Sequence, residues 1–157
     1  MIIYFGRDRN RQKQAYKNQI ARLESKSLRA QMNPHFIFNT LNGIQSVMML
    51  KGEKVANEYV GVFSRMLRST LEMSLLENSI LIEEINYIKS YILLQNLRRQ
   101  HPIKLEIDVS QSIDLYQLSI APMLIQPIVE NALLHGLSTI KENGLIKIRI
   151  WEEKESL

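Results

Sequence analysis

Gln31-Met32-Asn33-Pro34-His35-Phe36-Ile37-Phe38-Asn39-Thr40-Leu41-Asn42 sets a proline beside a histidine inside a long run of helix-forming residues. From Arg7 to about Leu50 the chain is rich in Gln, Lys, Arg, Ala, Leu and Met, and Pro34 is its only proline there, a composition that favours helix. A proline in a helix interior costs about 3 kcal/mol, so its place next to a histidine asks for a reason. On the helical period Ile37, Leu41, Ile44 and Met48 form an apolar stripe, while His35, Asn39, Asn42 and Ser46 line another side. His35 is therefore expected to face solvent. There an imidazole with a pKa of about 6.5 keeps an unprotonated nitrogen and can act as a nucleophile. A surface histidine beside a helix kink is the plainer reading of the same residues.

Downstream, Lys51-Gly52-Glu53-Lys54 interrupts the pattern, and Ala56, Tyr59, Phe63, Met66 and Thr70 resume it up to about Glu77. Two helices joined by a short glycine-bearing turn predict an antiparallel hairpin. One hairpin would leave much apolar surface wet. Pairing two into a four-helix bundle buries it, so a homodimer is expected. A third helix is predicted from about Ile82 to Arg99, with Ile85, Ile88, Ile92 and Gln95 on one side, ended by His101-Pro102. Ile103, Leu105, Ile107 and Val109 then alternate with Lys104, Glu106 and Asp108, the period of a strand with one buried face. Residues 123–137 look helical and strongly apolar, and Ile146, Ile148 and Ile150 alternate with Lys147 and Arg149 in a second strand. The class is α+β. Two strands with helices make a marginal core, which points to further structure beyond them.

The 157 residues suit one ordinary domain or two small ones. Hydrophobic residues at 45% and charged residues at 23% disfavour general disorder. The absence of cysteine removes disulfides, thiol catalysis and Cys-ligated zinc together. The net charge of +4 is unevenly placed: residues 1–31 hold eight basic and two acidic side chains, and the remainder is slightly acidic. Such a basic head can lie against anionic lipid, contact phosphates or form a solvated helix face. Met1-Ile2-Ile3-Tyr4-Phe5-Gly6 before it is too short to span a bilayer. Apolar residues followed by Arg and Lys nonetheless read like the inner end of a membrane helix, against an ordinary ragged terminus. Tyr16, Ile20, Leu23, Ser27 and Ala30 form a short, weak heptad seam, fitting either a parallel dimer linker or an amphipathic helix.

A second segment interrupts its apolar background: Pro122-Met123-Leu124-Ile125-Gln126-Pro127-Ile128-Val129-Glu130-Asn131-Ala132-Leu133-Leu134-His135-Gly136. Asn131 and His135 are four apart, so they are expected to share a helix face. An Asn carbonyl suits a hard cation such as Mg²⁺, which usually also binds phosphates, and a Glu can hold a water or ligand. A polar helix edge ending at Gly136 as its C-cap accounts for the same residues.

Taken together, in this order and about ninety residues apart, the two segments resemble the sensor histidine kinases of the LytS/YehU type. Gln31 to Asn42 is similar to the phosphoacceptor motif of that family, and Gln126 to Gly136 to its nucleotide-binding N box. The stretch between them, with Glu83-Glu84, Tyr91 and Arg98, is similar too. The resemblance covers roughly residues 25–150. It implies a juxtamembrane basic helix or coiled-coil linker at residues 1–30 and a dimerising phosphoacceptor hairpin at residues 31–79. An ATP-binding α/β sandwich of the histidine kinase and Hsp90 type would begin at residue 80. By the resemblance His35 accepts the γ-phosphoryl group of ATP and passes it to an aspartate on a response-regulator receiver domain. Asn131 would help to hold Mg²⁺ and the triphosphate, His135 would contact the nucleotide, and Glu130 would serve as a base or position water. The resemblance further implies the cytoplasmic portion of an inner or plasma membrane protein, joined to the membrane by an upstream region.

Three departures bear on that expectation. Phe36 follows the histidine where other histidine kinases often carry an acid able to take its proton. Leu134 stands where the N box often has a Lys or Arg. The sequence also contains no Asp-x-Gly-x-Gly box, so the ATP-binding domain at residues 80–157 is expected to be incomplete and the chain a fragment that does not phosphorylate itself. A non-catalytic dimerisation or phosphotransfer module without ATP binding is the alternative. Direct nucleic-acid binding is not expected, since the basic head sits on no recognisable recognition fold.

Overall fold

A computed structural model describes residues 34–136 and 144–152. The linker predicted at residues 1–30, and Gln31, Met32 and Asn33 of the first segment, lie outside the described residues. The chain divides into a unit of residues 1–37 and a unit of residues 38–157. Of the first unit, the described part is the stretch of helix α1 (Pro34–Lys51) that carries His35.

In the second unit α1 runs to Lys51, and Gly52, with φ 87°, turns the chain into α2 (Glu53–Met73). That left-handed backbone favours glycine, because a Cβ there would crowd the following carbonyl. The buried line of α2 is Ala56, Phe63, Met66, Thr70 and Met73, with Tyr59 half-buried, as the periodicity predicts. The buried line of α1 differs from the expected stripe. Thr40, Gly43, Ile44 and Val47 are buried, Ile37 is half-buried, and Leu41 and Met48 are exposed. The reason is local: α1 is apolar on more than one side, and the side carrying Gly43 meets the turn after the third helix. A Cβ at Gly43 would lie 3.0 Å from the Cβ of Leu97, so a bare backbone is what permits the approach.

A two-residue strand β1 (Ser79–Ile80) leads into α3 (Leu81–Gln95), followed by a 3₁₀ turn (Asn96–Arg98). Helix α3 is enclosed on several sides. Leu81, Glu84, Ile85, Tyr87, Ile88, Tyr91, Ile92 and Leu94 are all buried. It packs against α2 on one side and the helix at residues 126–131 on another. The N–H groups of Leu81 and Ile82, which have no partner within the helix, donate to the carbonyls of Leu118 (2.9 Å) and Leu115 (3.0 Å). Asn96 closes the loop that follows, donating to the Ile103 carbonyl and accepting from the Ile103 N–H, each at 2.9 Å.

Strand β2 (Lys104–Val109) pairs in parallel with β4 (Leu145–Ile150), from Lys104 opposite Leu145 to Val109 opposite Ile150. Parallel neighbours need a long crossover, and here the crossover carries the second motif. Leu105, Ile107 and Val109 are more buried than Lys104, Glu106 and Asp108, as the alternation predicts. Their apolar face and α3 enclose a cleft of about 480 Å³. A second, two-residue antiparallel ladder joins β1 to β3 (Ser119–Ile120). Segments this short carry too little pattern to be seen in sequence. The architecture is mixed helix and sheet, α+β.

Candidate functional site

His35 is exposed on α1, while the next residue, Phe36, is buried. Along the same helix Asn42 and Ser46 are exposed, with Ser46 Oγ donating to the Asn42 carbonyl at 2.9 Å. Asn39, on the same side of α1, is half-buried. Its Oδ1 accepts a hydrogen bond from the guanidinium of Arg98, at the end of the 3₁₀ turn. The pairing fixes α1 to the element that follows α3, next to the close approach of Gly43 and Leu97.

The second segment does not form the continuous helix expected at residues 123–137. Met123 has φ 56°, a left-handed conformation that a residue with a side chain rarely adopts. Regular α-helix is confined to α4 (Gln126–Asn131) and widens into a π-helical turn at Ala132–Gly136. The cause lies on α3. The Glu84 side chain is fully buried, and its carboxylate accepts hydrogen bonds from the backbone N–H of Met123 and of Ile125, the latter at 3.3 Å. Those N–H groups point at the carboxylate, so the chain enters its helix only at Gln126. Burial raises the Glu84 carboxyl above its ordinary range, and the two backbone N–H groups oppose that shift.

On α4, Val129 and Gln126 are buried, and Asn131 is exposed. Gln126 Nε2 donates to Glu130 Oε1 at 2.8 Å, while Gln126 Oε1 is buried with no partner among the described residues. Glu130 is half-buried, and its charge bears on two phenols of α3. Burial pushes the Tyr87 phenol far up, helped by Glu130 and opposed by a hydrogen bond with Thr70 of α2. It pushes Tyr91 up to about 12, with Glu130 adding to the effect and the bond from Gln95 Nε2 (3.0 Å) opposing it. The two rings stack with centroids 6.4 Å apart. Glu130 thus accepts from the Gln126 amide, and its charge disfavours ionisation of both phenols.

Asn131 and His135 are both exposed. Between them i→i+5 bonding begins, so a four-residue spacing no longer stacks side chains as in an α-helix. π-Helical turns of this kind recur at functional sites. Glu130, Asn131 and His135 therefore sit together on α4 and its widened end. His35 belongs to the unit of residues 1–37. Among the described residues there is no group of three or more His, Cys, Asp or Glu able to hold a metal. Asn131 is exposed and carries one side-chain carbonyl oxygen, a ligand type that a hard cation accepts alongside water and phosphate oxygens.

Reading the sequence missed the roles of Glu84, Gln126, Tyr87 and Gly43. For Glu84 the signal was present: it falls among Leu81, Ile85 and Ile88 on the apolar side of α3, and a carboxylate there is almost never left unpaired. For Gln126 no pattern in the sequence distinguishes a buried amide from an exposed one.

Known proteins share sequence with most of this chain. The sequence profile of a family described as histidine kinase matches residues 23–103. An uncharacterized sensor-like histidine kinase of Staphylococcus epidermidis is 35% identical over 133 residues, 84% of this chain and 25% of that protein. The sensor protein kinase HptS of Staphylococcus aureus strain USA300 is 36% identical over 136 residues, 86% of this chain and 25% of that protein. The chain spans about a quarter of the length of these curated relatives. The profile covers more than half of the chain, and both relatives extend the likeness over most of the rest: this chain belongs to the histidine kinase family.

Proposed function

We propose that the chain carries the phosphoacceptor region and the first part of the nucleotide-binding region of a sensor kinase in two-component signalling. The observation that carries this reading is the exposed imidazole of His35 on α1, within the segment matched by the family profile. A ring nitrogen of that imidazole is the nucleophile for phosphoryl transfer. Phosphoryl transfer depends mainly on positioning and on neutralising charge. When bound, ATP supplies the γ-phosphoryl group. Asn131 would offer its carbonyl oxygen to a Mg²⁺ ion, and His135 would offer a ring nitrogen to the nucleotide. Glu130, held by Gln126, takes the part of a base or of a group that orders water. Phosphohistidine at His35 then donates to an aspartate of a response-regulator receiver domain.

The exposed apolar residues of α1 and α2, among them Phe38, Leu41, Met48, Val60 and Leu71, supply the face on which two copies form a four-helix bundle. No helix among the described residues is long and apolar enough to cross a membrane. Membrane attachment is assigned to a region upstream of the phosphoacceptor helix, with the described residues on the cytoplasmic side.

The test is phosphorylation in trans. Incubation with labelled ATP and an intact histidine kinase catalytic domain should place alkali-stable, acid-labile phosphate on this chain. His35→Gln should abolish it. Label that persists in His35→Gln would remove the site assignment.

A further inference from the structure

Helix α4 has only six residues. A helix of that length has no stability of its own, so the bearing of Asn131 at its end depends on what fixes its start. Two things do. Val129 and Gln126 are buried on its inner side, and the Ile125 peptide is held at both ends. The Ile125 carbonyl accepts from Val129 N at 3.2 Å, and the Ile125 N–H donates to Glu84. The other carboxylate oxygen of Glu84 takes the N–H of Met123, the residue held at φ 56°. Backbone in that region persists where its surroundings over-determine it, and here the determinant is one buried side chain 39 positions away in sequence.

Resting on the nucleotide-binding reading above, we propose that Glu84 is a positioning residue of the nucleotide site. By gripping Met123 and Ile125 it sets where α4 begins and hence where Asn131 stands. It touches neither nucleotide nor metal. The residue type follows from the geometry. Two backbone donors converge on one side chain, and only a carboxylate presents two acceptor oxygens. Glutamine offers one oxygen and turns an NH₂ group against the second donor. Aspartate is shorter by one methylene and does not reach from a buried position on α3. Misplacement of a site group by about 1 Å is enough to cost about 10²-fold in rate, so a small reorientation of α4 would register.

The experiment uses the chain labelled with ¹⁵N, titrated with Mg-ADP, comparing wild type with Glu84→Gln and with Ile88→Val. Ile88 is fully buried on the same helix, so Ile88→Val controls for destabilisation of α3 alone. The expected result is that Glu84→Gln displaces the amide signals of Met123, Ile125 and Asn131, leaves those of β2 and β4 in place, and weakens Mg-ADP binding about tenfold. Ile88→Val should change binding by less than about twofold. If wild type and Glu84→Gln bind Mg-ADP equally, the positioning role is overturned and the nucleotide reading stands. If Ile88→Val weakens binding as much as Glu84→Gln, the effect is one of stability and the role is likewise overturned. If wild type gives no response to Mg-ADP, the nucleotide reading itself fails and takes the inference with it.

Discussion

Gly43 and Leu97 approach so closely that a Cβ on Gly43 would lie 3.0 Å from the Cβ of Leu97 and 3.2 Å from Cγ of Arg98. Leu97 Cβ is tied to the backbone of the 3₁₀ turn and cannot swing away as the tip of a side chain would. Gly43→Ala gains about 1 kcal/mol in helix propensity but overpacks the joint at a cost of about 1–3 kcal/mol. It should destabilise the chain. At Gly61 an added Cβ would meet only the end of the Arg65 side chain, at 3.5 Å, so Gly61→Ala should stabilise by about 0.5–1 kcal/mol. Denaturant unfolding of both variants checks the pair. Equal effects at the two glycines would contradict the close packing of α1 on the 3₁₀ turn.

Glu84 gives a pH prediction whose sign follows from its raised carboxyl. Between the ordinary glutamate value of 4.5 and the higher folded value, the folded state binds more protons than the unfolded state. The Glu84 contribution to stability is therefore full at low pH and declines as pH rises through that window. The stability difference between wild type and Glu84→Gln, measured from pH 4 to pH 7, should shift in favour of glutamine with rising pH. A shift the other way would mean that the buried carboxyl is stabilised in its charged form. Glu84→Ala leaves two backbone N–H groups without an acceptor, and should cost about 2–4 kcal/mol at either pH.

Tyr87 and Tyr91 are both held neutral by burial, with Glu130 adding to the effect. Their phenols should resist ionisation at about pH 11, a unit above the ordinary tyrosine value. Ultraviolet titration of the six tyrosines should show an incomplete transition there, completed only as the fold opens. Glu130→Gln should lower the Tyr91 transition from about 12. An unchanged titration in Glu130→Gln would place that carboxylate away from the ring.

Helix periodicity placed α1, α2 and α3, and strict alternation placed β2 and β4, because each buries one face over many residues. Periodicity failed where contact with another element overrides it. Gly43 contributes no hydrophobicity, yet its bare backbone decides which side of α1 is inside. Met123 and Ile125 belong to an apolar run that reads as helix, and a carboxylate 39 and 41 positions away keeps them out of it. The candidate residues His35, Glu130, Asn131 and His135 were legible as polar groups interrupting apolar segments. The hydrogen bond of Glu130 with Gln126 and its electrostatic effect on Tyr87 and Tyr91 were not, since they come from packing between α3 and α4.

Exposed apolar residues on α1 and α2 lead to a prediction about assembly. Met49 is 77% exposed and Phe38 67% exposed in the single chain, more apolar surface than a solvated helix normally carries. Analytical ultracentrifugation should find a dimer, and Leu41→Arg should shift it to monomer without loss of helix content. A wild-type monomer at high concentration would contradict the proposed bundle.

His35 is proposed as the group that carries phosphate. Mass-spectrometric mapping of the chain after incubation with ATP, Mg²⁺ and an intact histidine kinase catalytic domain, read under alkaline conditions, tests this. One added phosphoryl group is expected on the peptide containing His35, absent in His35→Gln and lost on transfer to a receiver domain. Phosphate mapped to His101 or His135, or to a serine or threonine, with His35 unmodified, would contradict it.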